Sequence, residues 1–409
     1  MFYGWVIVAA SFLMSVIGMG TRYSFGVFLK SIQIEFGMTR GATSGIFSVY
    51  MLLCCVSSIA GGWVIDKYGP RKICISFGAL TALSLILTGL VHRPWQLLIT
   101  YSLLLSLGTG AIYPVVNTTV SRWFVARRGY AVGLTSSGGG VGAIVLAPFS
   151  AYLITLFDWR MAFLILGLVS GGIILAAALP LKKDPAEMGL FPDGAVPAAS
   201  AGTYPANSPA AHASGLSLSQ AAGTSQFWLL GCVWFFLALS LHMIIVHVVS
   251  YALDQGIEPL DAAFILSLIG LANICGRLVI GKMSDSLGRK PLAVTCALLQ
   301  FGSLLWLMWA HSLWALYAFA VAFGFLWGGF ATITTTLIGD TFGTRQLGII
   351  MGVLTSLWAL GAAAGPAVGG YLFDLQGNYF AAFAAGAAGL LAAAAFTALV
   401  RRLPDAGHG

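Results

Sequence analysis

Long apolar runs alternate with short polar breaks along almost the whole chain. A helix needs about 20 mostly apolar residues to cross a bilayer, and the pattern predicts twelve spans, near 5–28, 43–65, 73–91, 95–120, 129–155, 160–181, 225–250, 261–283, 291–310, 313–337, 346–372 and 379–400. One break differs in kind. Residues 182–223 contain DPAEMGLFPDG and then AVPAASAGTYPANSPAAHASG, small and proline-rich with few large apolar side chains, which predicts a flexible linker. The expected fold is an all-α membrane protein of twelve transmembrane helices in two pseudo-symmetric six-helix bundles, residues 1–181 and 224–409, joined by that linker.

Composition points the same way. Apolar residues make up 59% and charged residues only 8%, against about 25% charged in an ordinary soluble domain, so most of the surface must face lipid. The 26 Phe and 12 Trp suit lipid-facing surfaces and interfacial belts. A net charge of +7 would favour nucleic acid if the basic residues formed one patch, but they are scattered among the short breaks. There they set orientation, because Lys and Arg accumulate on the cytoplasmic side. Lys67, Arg71 and Lys72, Arg122, Arg127 and Arg128, Lys182 and Lys183, Lys282, Arg289 and Lys290, and Arg345 all fall on one side with Arg401 and Arg402. The other side holds His92 and Arg93, Asp158 and Arg160, Asp254, Glu258 and Asp261, His311 and Asp374, with Lys30 and Arg40 as exceptions to the rule. A multi-pass cell-membrane protein of prokaryotic inner-membrane type, with both termini cytoplasmic, is expected.

The opening MFYGWVIVAASFLM has no cationic stretch before its apolar run, which predicts a retained first span and not a cleaved leader. The six cysteines, Cys54, Cys55, Cys74, Cys232, Cys275 and Cys296, lie within or at the ends of spans without metal-ligand spacing and read as packing residues. Glycines cluster inside two spans, Gly138, Gly139, Gly140 and Gly142 with Pro148, and Gly361, Gly365, Gly369 and Gly370 with Pro366. A nucleotide-binding glycine loop needs a strand before it, so these sets predict close helix contacts and mobile spans instead. No metal or cofactor is expected, and no cluster of nucleophiles points to an enzyme.

The two halves share an internal repeat. Gly62, Asp66 and Gly69 recur as Gly281, Asp285 and Gly288 at a constant displacement of 219 (281 less 62), and the same displacement relates Gly129 to Gly348 and Gly133 to Gly352. Duplicated bundles of this kind enclose a midplane site at their interface. The repeated loop, with Lys67, Arg71 and Arg289 beside it, predicts a latch at the cytoplasmic face; a plain basic turn is the alternative.

The stretch Gly62 to Lys72, its partial copy in the second half, the twelve spans and the long central loop resemble the major facilitator superfamily. Two further stretches are similar to its monocarboxylate transporter family: Tyr3-Gly4-Trp5-Val6, and Arg122-Trp123-Phe124-Val125-Ala126-Arg127-Arg128-Gly129-Tyr130-Ala131-Val132-Gly133-Leu134. The resemblance implies carriage of lactate, pyruvate or a similar acid together with a proton. The bacterial oxalate/formate antiporter branch is closely similar and stays beside it.

Arg277 lies in the apolar stretch of residues 262–280. A guanidinium in hydrocarbon is expensive and marks a solute path by default, and it pairs with a carboxylate through two parallel hydrogen bonds. None of the 13 acidic residues falls deep in a span, so an incoming anion would supply the counter-charge. Snorkelling to the nearer membrane surface is the alternative. The resemblance assigns Arg277 the same carboxylate-holding role. Asn273, four residues earlier and on the same helix face, stands where animal members of the family commonly have an aspartate implicated in proton coupling, and an amide cannot titrate.

Arg22 is a second cation within a span. The family's lysine position, set by its similar VFFK ending, falls on Tyr23, so Arg22 is one residue and about 100° away from it. With Arg277 alone the site matches a monocarboxylate; with Arg22 added it matches a dicarboxylate. The oxalate carriers use a second cation, a lysine in span eleven, and no lysine lies between Gly348 and Tyr371, which favours the monocarboxylate. His247 and Asp254 are seven residues apart, about two helical turns, and are candidates for proton coupling; His242, Glu258 and Asp261 read as a packed histidine and a solvated loop. Tyr23, Tyr113, Asn117, Phe323, Trp327 and Trp358 are candidate cavity walls. The expectation is therefore proton-coupled symport of a small monocarboxylate by a protein working as a monomer in a lipid bilayer. A dicarboxylate antiporter and a carboxylate-sensing receptor of transporter type are the alternatives.

Overall fold

In the computed structural model, residues 2–124, 128–191, 193, 216–343 and 347–401 are described. Most of the central linker, together with Arg127, Arg345 and Arg402, lies outside the described residues. Among those described, twelve helices are long and apolar enough to cross a membrane. They are numbered here as spans 1 to 12: Gly4–Phe36, Arg40–Ser58, Pro70–Gly89, Pro94–Trp123, Tyr130–Leu156, Trp159–Ala178, Ser225–Asp254, Pro259–Ser284, Arg289–Leu307, Leu313–Phe342, Ile349–Gln376 and Phe380–Leu399.

The main departure from the sequence pattern is at span 1, which runs on to Phe36 and carries Lys30 within it. No helix breaker intervenes until Gly37, whose left-handed φ of 58° ends the helix. The span is interrupted at Ser24, between helices Gly4–Tyr23 and Phe25–Phe36, where the Ser24 hydroxyl donates to the Gly20 carbonyl at 2.9 Å. Span 4 is also irregular, with a π-helical segment Leu98–Leu104 and a break between Thr109 and Ile112.

An even number of spans puts the two ends of the chain on one face, called here the near face; the opposite one is the far face. Span packing repeats with a shift of six. Span 1 packs on span 5 and span 7 on span 11; span 3 packs on span 6 and span 9 on span 12; span 2 packs on span 4 and span 8 on span 10. The halves meet along span 2 against span 11, span 5 against span 8, and span 1 against span 7. Glycines at the repeat displacement allow two of the crossings: a Cβ on Gly142 would run into the backbone of Val16 and Gly20, and one on Gly361 into the backbone of Phe235.

The turn after span 2 and the turn after span 8 are built alike. Gly69 has φ 77° and ψ 158°, Gly288 has φ 86° and ψ 134°, and each immediately precedes the next helix. That backbone region is essentially restricted to glycine, which explains why this residue recurs in both halves.

Candidate functional site

Span 8 presents Arg277 inward, and its neighbours show why. Leu271 and Leu278 are exposed, at 52% and 71%, and mark the lipid side. Ile274 meets Gly140 of span 5, while Gly276 backs onto Phe325 of span 10. At about 100° per residue, Arg277 and Asn273 fall on the remaining face, between spans 5 and 10 and turned away from the lipid side. The Arg277 side chain is accessible there. Its Nε donates to Asn273 Oδ1 at 3.0 Å, so the amide orients the guanidinium and leaves the terminal nitrogens free. Asn273 is 5% exposed and its Nδ2, a donor, has no partner. Two adjacent groups thus offer only N–H donors, and among the described residues no carboxylate meets them.

Arg22 is buried, at 8% exposed, with its guanidinium carbon 5.8 Å from the centre of the Tyr50 ring. Tyr50 and Thr109 share a hydroxyl hydrogen bond at 2.8 Å. A small cavity borders Arg22, lined by Ser15, Gly18, Met19, Thr109 and Ile112, with about 10 Å³ open to the centre of a water molecule, room for roughly one water. Arg22 Nε and the nearby Tyr101 hydroxyl are buried without partners. His242 of span 7 reaches this region: its Nδ1 lies 3.0 Å from the Ala238 carbonyl, its Nε2 is unpartnered, and Trp358 of span 11 stands edge-on at 4.9 Å.

The other candidate wall residues separate. Tyr23 is half-buried and packs on an apolar cluster that joins Val27, Ala147 and Ala151 of the first half to the core of the second. Asn117 is half-buried, with its carbonyl oxygen unpartnered. Phe323 stacks on Phe319 at 5.3 Å inside the second half, and Trp327 is buried in the same core. The side chain of Tyr113 lies outside the described residues.

At the far face the halves are clasped by polar contacts. Asp254, at the end of span 7, pairs with Lys30 of span 1 at 3.0 Å and with Arg40 of span 2 at 2.6 Å. Asp374 of span 11 accepts from the backbone N–H groups of Arg40 and Gly41, both at 2.8 Å, so a carboxylate of one half caps a helix of the other. Arg40 also stacks on Phe373, 3.9 Å from the ring centre, and donates to the Tyr379 hydroxyl at 2.6 Å. Burial, working against the pull of Arg40, holds the Tyr379 phenol above its ordinary range, so it stays a neutral hydroxyl. His247, a buried residue of span 7, touches that hydroxyl through Nδ1 at 3.2 Å and the Pro366 carbonyl through Nε2 at 2.9 Å. His247 and Asp254, paired in the sequence by spacing along one helix, are thus linked through Tyr379 and Arg40 of other elements. Arg40, Tyr379 and Asp374 are functional candidates that sequence reasoning missed; the one signal was the out-of-place basic charge at Arg40.

At the near face, Arg289 pairs with Asp340 of span 10 at 2.5 Å, Arg71 is exposed and Gly281 is half-buried. The surroundings of Gly62, Asp66, Lys67 and Asp285 lie outside the described residues.

The helices thus form two sets related by a six-span shift, and a model of the Major Facilitator Superfamily matches residues 11–289 and 229–409. The chain belongs to that superfamily. It is a multi-pass membrane transport protein. Similar proteins include Monocarboxylate transporter 12 of Xenopus laevis, 27% identical over 393 residues covering 93% of this chain and 85% of that protein. Monocarboxylate transporter 13 of Rattus norvegicus is 28% identical over 404 residues, 95% of this chain and 87% of its own length. Monocarboxylate transporter 11 of Homo sapiens is 28% identical over 428 residues, 99% and 84%. Among solved structures, a bacterial homolog of the human lysosomal transporter Spinster, inward-facing and unoccupied, superposes with a TM-score of 0.74 at 16% identity, covering 97% of this chain and 95% of that one. At that identity the likeness concerns the fold.

Proposed function

We propose that this protein carries a small carboxylate across the membrane by alternating access, with the two six-span sets, residues 1–181 and 224–409, rocking about a site at Arg277. The observation that carries the reading is the donor pair of Arg277 and Asn273. Asn273 takes up Arg277 Nε, while its own Nδ2 and the terminal guanidinium nitrogens meet no acceptor among the described residues. A carboxylate has only acceptors and fits both. The similarity to monocarboxylate transporters supports a monocarboxylate such as lactate or pyruvate. In this reading the near face is cytoplasmic, a proton accompanies the anion, and Asn273 is not the residue that carries it.

Counterflow of labelled lactate in proteoliposomes tests the proposal, with unlabelled pyruvate, acetate and oxalate as competitors. Exchange that competes with monocarboxylates and vanishes in Arg277→Ala is expected. Exchange indifferent to Arg277→Ala would remove the site.

Arg22 favours a second reading. It is a buried cation with an unpartnered Nε and no acid beside it among the described residues. If it turns to the cargo when the halves move, two cations face the solute and a dicarboxylate such as oxalate is preferred. Oxalate-selective exchange lost in both Arg22→Ala and Arg277→Ala would establish that version.

A further inference from the structure

The clasp at the far face contains a hydrogen-bonded line whose direction can be assigned atom by atom. The Pro366 carbonyl can only accept, so His247 Nε2, 2.9 Å away, carries a hydrogen. In a neutral ring Nδ1 is then a bare acceptor, and the Tyr379 hydroxyl at 3.2 Å donates to it. The Tyr379 oxygen in turn accepts from Arg40 Nη1 at 2.6 Å, and Arg40 Nη2 meets Asp254 at 2.6 Å. Each donor in the line has an acceptor, and the direction runs from Arg40 through Tyr379 and His247 to Pro366. Room for the imidazole comes from Gly369, since a Cβ there would lie 3.0 Å from His247 Cδ2 and 3.2 Å from its Nε2.

A second proton on the ring reverses the middle of this line. Nδ1 becomes a donor facing a hydroxyl that was donating to it, the hydroxyl must turn away, and two cations then share one phenol oxygen. The Ser250 hydroxyl beside Tyr379 can take the displaced hydrogen but brings no counter-charge, and the charged groups facing the ring offer no relief. From span 2 it meets the cation Arg40; Lys30 of span 1 adds another beyond Asp254. Asp254, on the ring's own span, is already held by both. Asp374 of span 11 is engaged with the N–H groups of Arg40 and Gly41, and Tyr251 contributes only the edge of a ring packed against Tyr379.

We propose that His247 is the proton-binding group of a gate at the far face: the gate closes over a neutral imidazole, and a proton taken up on Nδ1 releases Tyr379 and Arg40 and with them the clasp made by Asp254 and Asp374. The inference rests on the alternating-access reading. A closed gate that holds only the neutral ring binds fewer protons than an open one, so acid on the far side raises the open fraction. An imidazole exposed to water titrates near about 6.5, so between about pH 8 and about pH 5 the open fraction is nearly flat at first and rises below about pH 6.5. Arg40 and Tyr379 are positioning residues in this scheme, because they transmit the charge without binding the proton.

Spin labels on Ile34→Cys and Gln376→Cys, in the full chain with its native cysteines replaced, report the separation of the halves at this face without any substrate. The open-to-closed ratio is expected to rise about tenfold or more as pH falls across that range. His247→Gln keeps a donor for Pro366 and an acceptor for Tyr379 but cannot take the proton, so it should stay closed throughout. Tyr379→Phe, which retains the titrating ring but loses the hydroxyl that passes its charge on, should lose the response as well. A wild-type response that survives in His247→Gln, or no response in the wild type, overturns the proposal. Arg277→Ala should respond like the wild type, so failure of the gate and failure of the carboxylate site give different results.

Discussion

Asn273 is buried to 5% exposure, has its oxygen committed to Arg277 and keeps an unpartnered Nδ2. An orphaned buried donor costs about 1–3 kcal/mol, a cost that binding an anion would remove. Asn273→Leu deletes both the donor to the cargo and the acceptor that orients the guanidinium. A hydrogen bond to a charged group contributes about 1.5–3 kcal/mol, so the apparent KM for lactate should rise roughly tenfold to a hundredfold. Concentration-dependent uptake measures this, and an unchanged KM would mean that the amide only packs. Arg277 itself was legible in the sequence, because a cation in a run of apolar residues is conspicuous wherever the helix edges fall. The Arg40 clasp was not. Its partners Asp254, Asp374 and Tyr379 come from the other half of the chain, each sits near a span end where charge is ordinary, and periodicity along one helix says nothing about which ends meet.

Among the elements, the paired near-face turns show how a repeat in sequence becomes a repeat in backbone geometry. Gly69 and Gly288 hold φ 77° and 86°, where a side chain costs about 1–3 kcal/mol. Gly302 is the opposite case: it lies inside the helix Arg289–Leu307, and a Cβ there would meet nothing within 4 Å. Gly288→Ala should therefore lower the thermal unfolding midpoint in a fixed detergent, while Gly302→Ala should raise it, by about 0.5–1 kcal/mol in stability. Equal shifts of one sign would refute the assignment. The glycines at constant displacement made these turns readable in advance, and hydropathy made the spans readable. The extension of span 1 from the expected end near residue 28 to Phe36 does not follow from hydropathy, because Lys30 interrupts the apolar run, although a lysine near a span end can run its stem along apolar surface and leave its charge at the boundary. The π-helical segment in span 4 left no pattern that twenty apolar residues in ordinary helical register would not also leave.

For the molecule as a whole, alternating access requires the far-face contacts between the halves to separate once per cycle. Span 2 and span 11 approach closely there: a Cβ built on Gly41 lies 3.3 Å from the Tyr371 nitrogen and 3.4 Å from its Cα, and 2.7 Å from Asp374 Oδ2, a carboxylate that must swing aside to admit it. A disulfide needs Cβ atoms about 3.5–4.5 Å apart, so Gly41→Cys with Tyr371→Cys, in a chain without its native cysteines, should cross-link on oxidation and lock the far face shut. The locked protein should lose lactate exchange and regain it on reduction, while each single cysteine variant exchanges in both redox states. Binding separates a locked carrier from a damaged one. If the halves rock about Arg277, the cross-linked protein reconstituted with its near face accessible should still bind labelled lactate, and Arg277→Ala added to it should abolish that binding. Exchange that persists through complete cross-linking would show that spans 2 and 11 do not part at this face, and the solute would then have to cross by some route other than the one these contacts close.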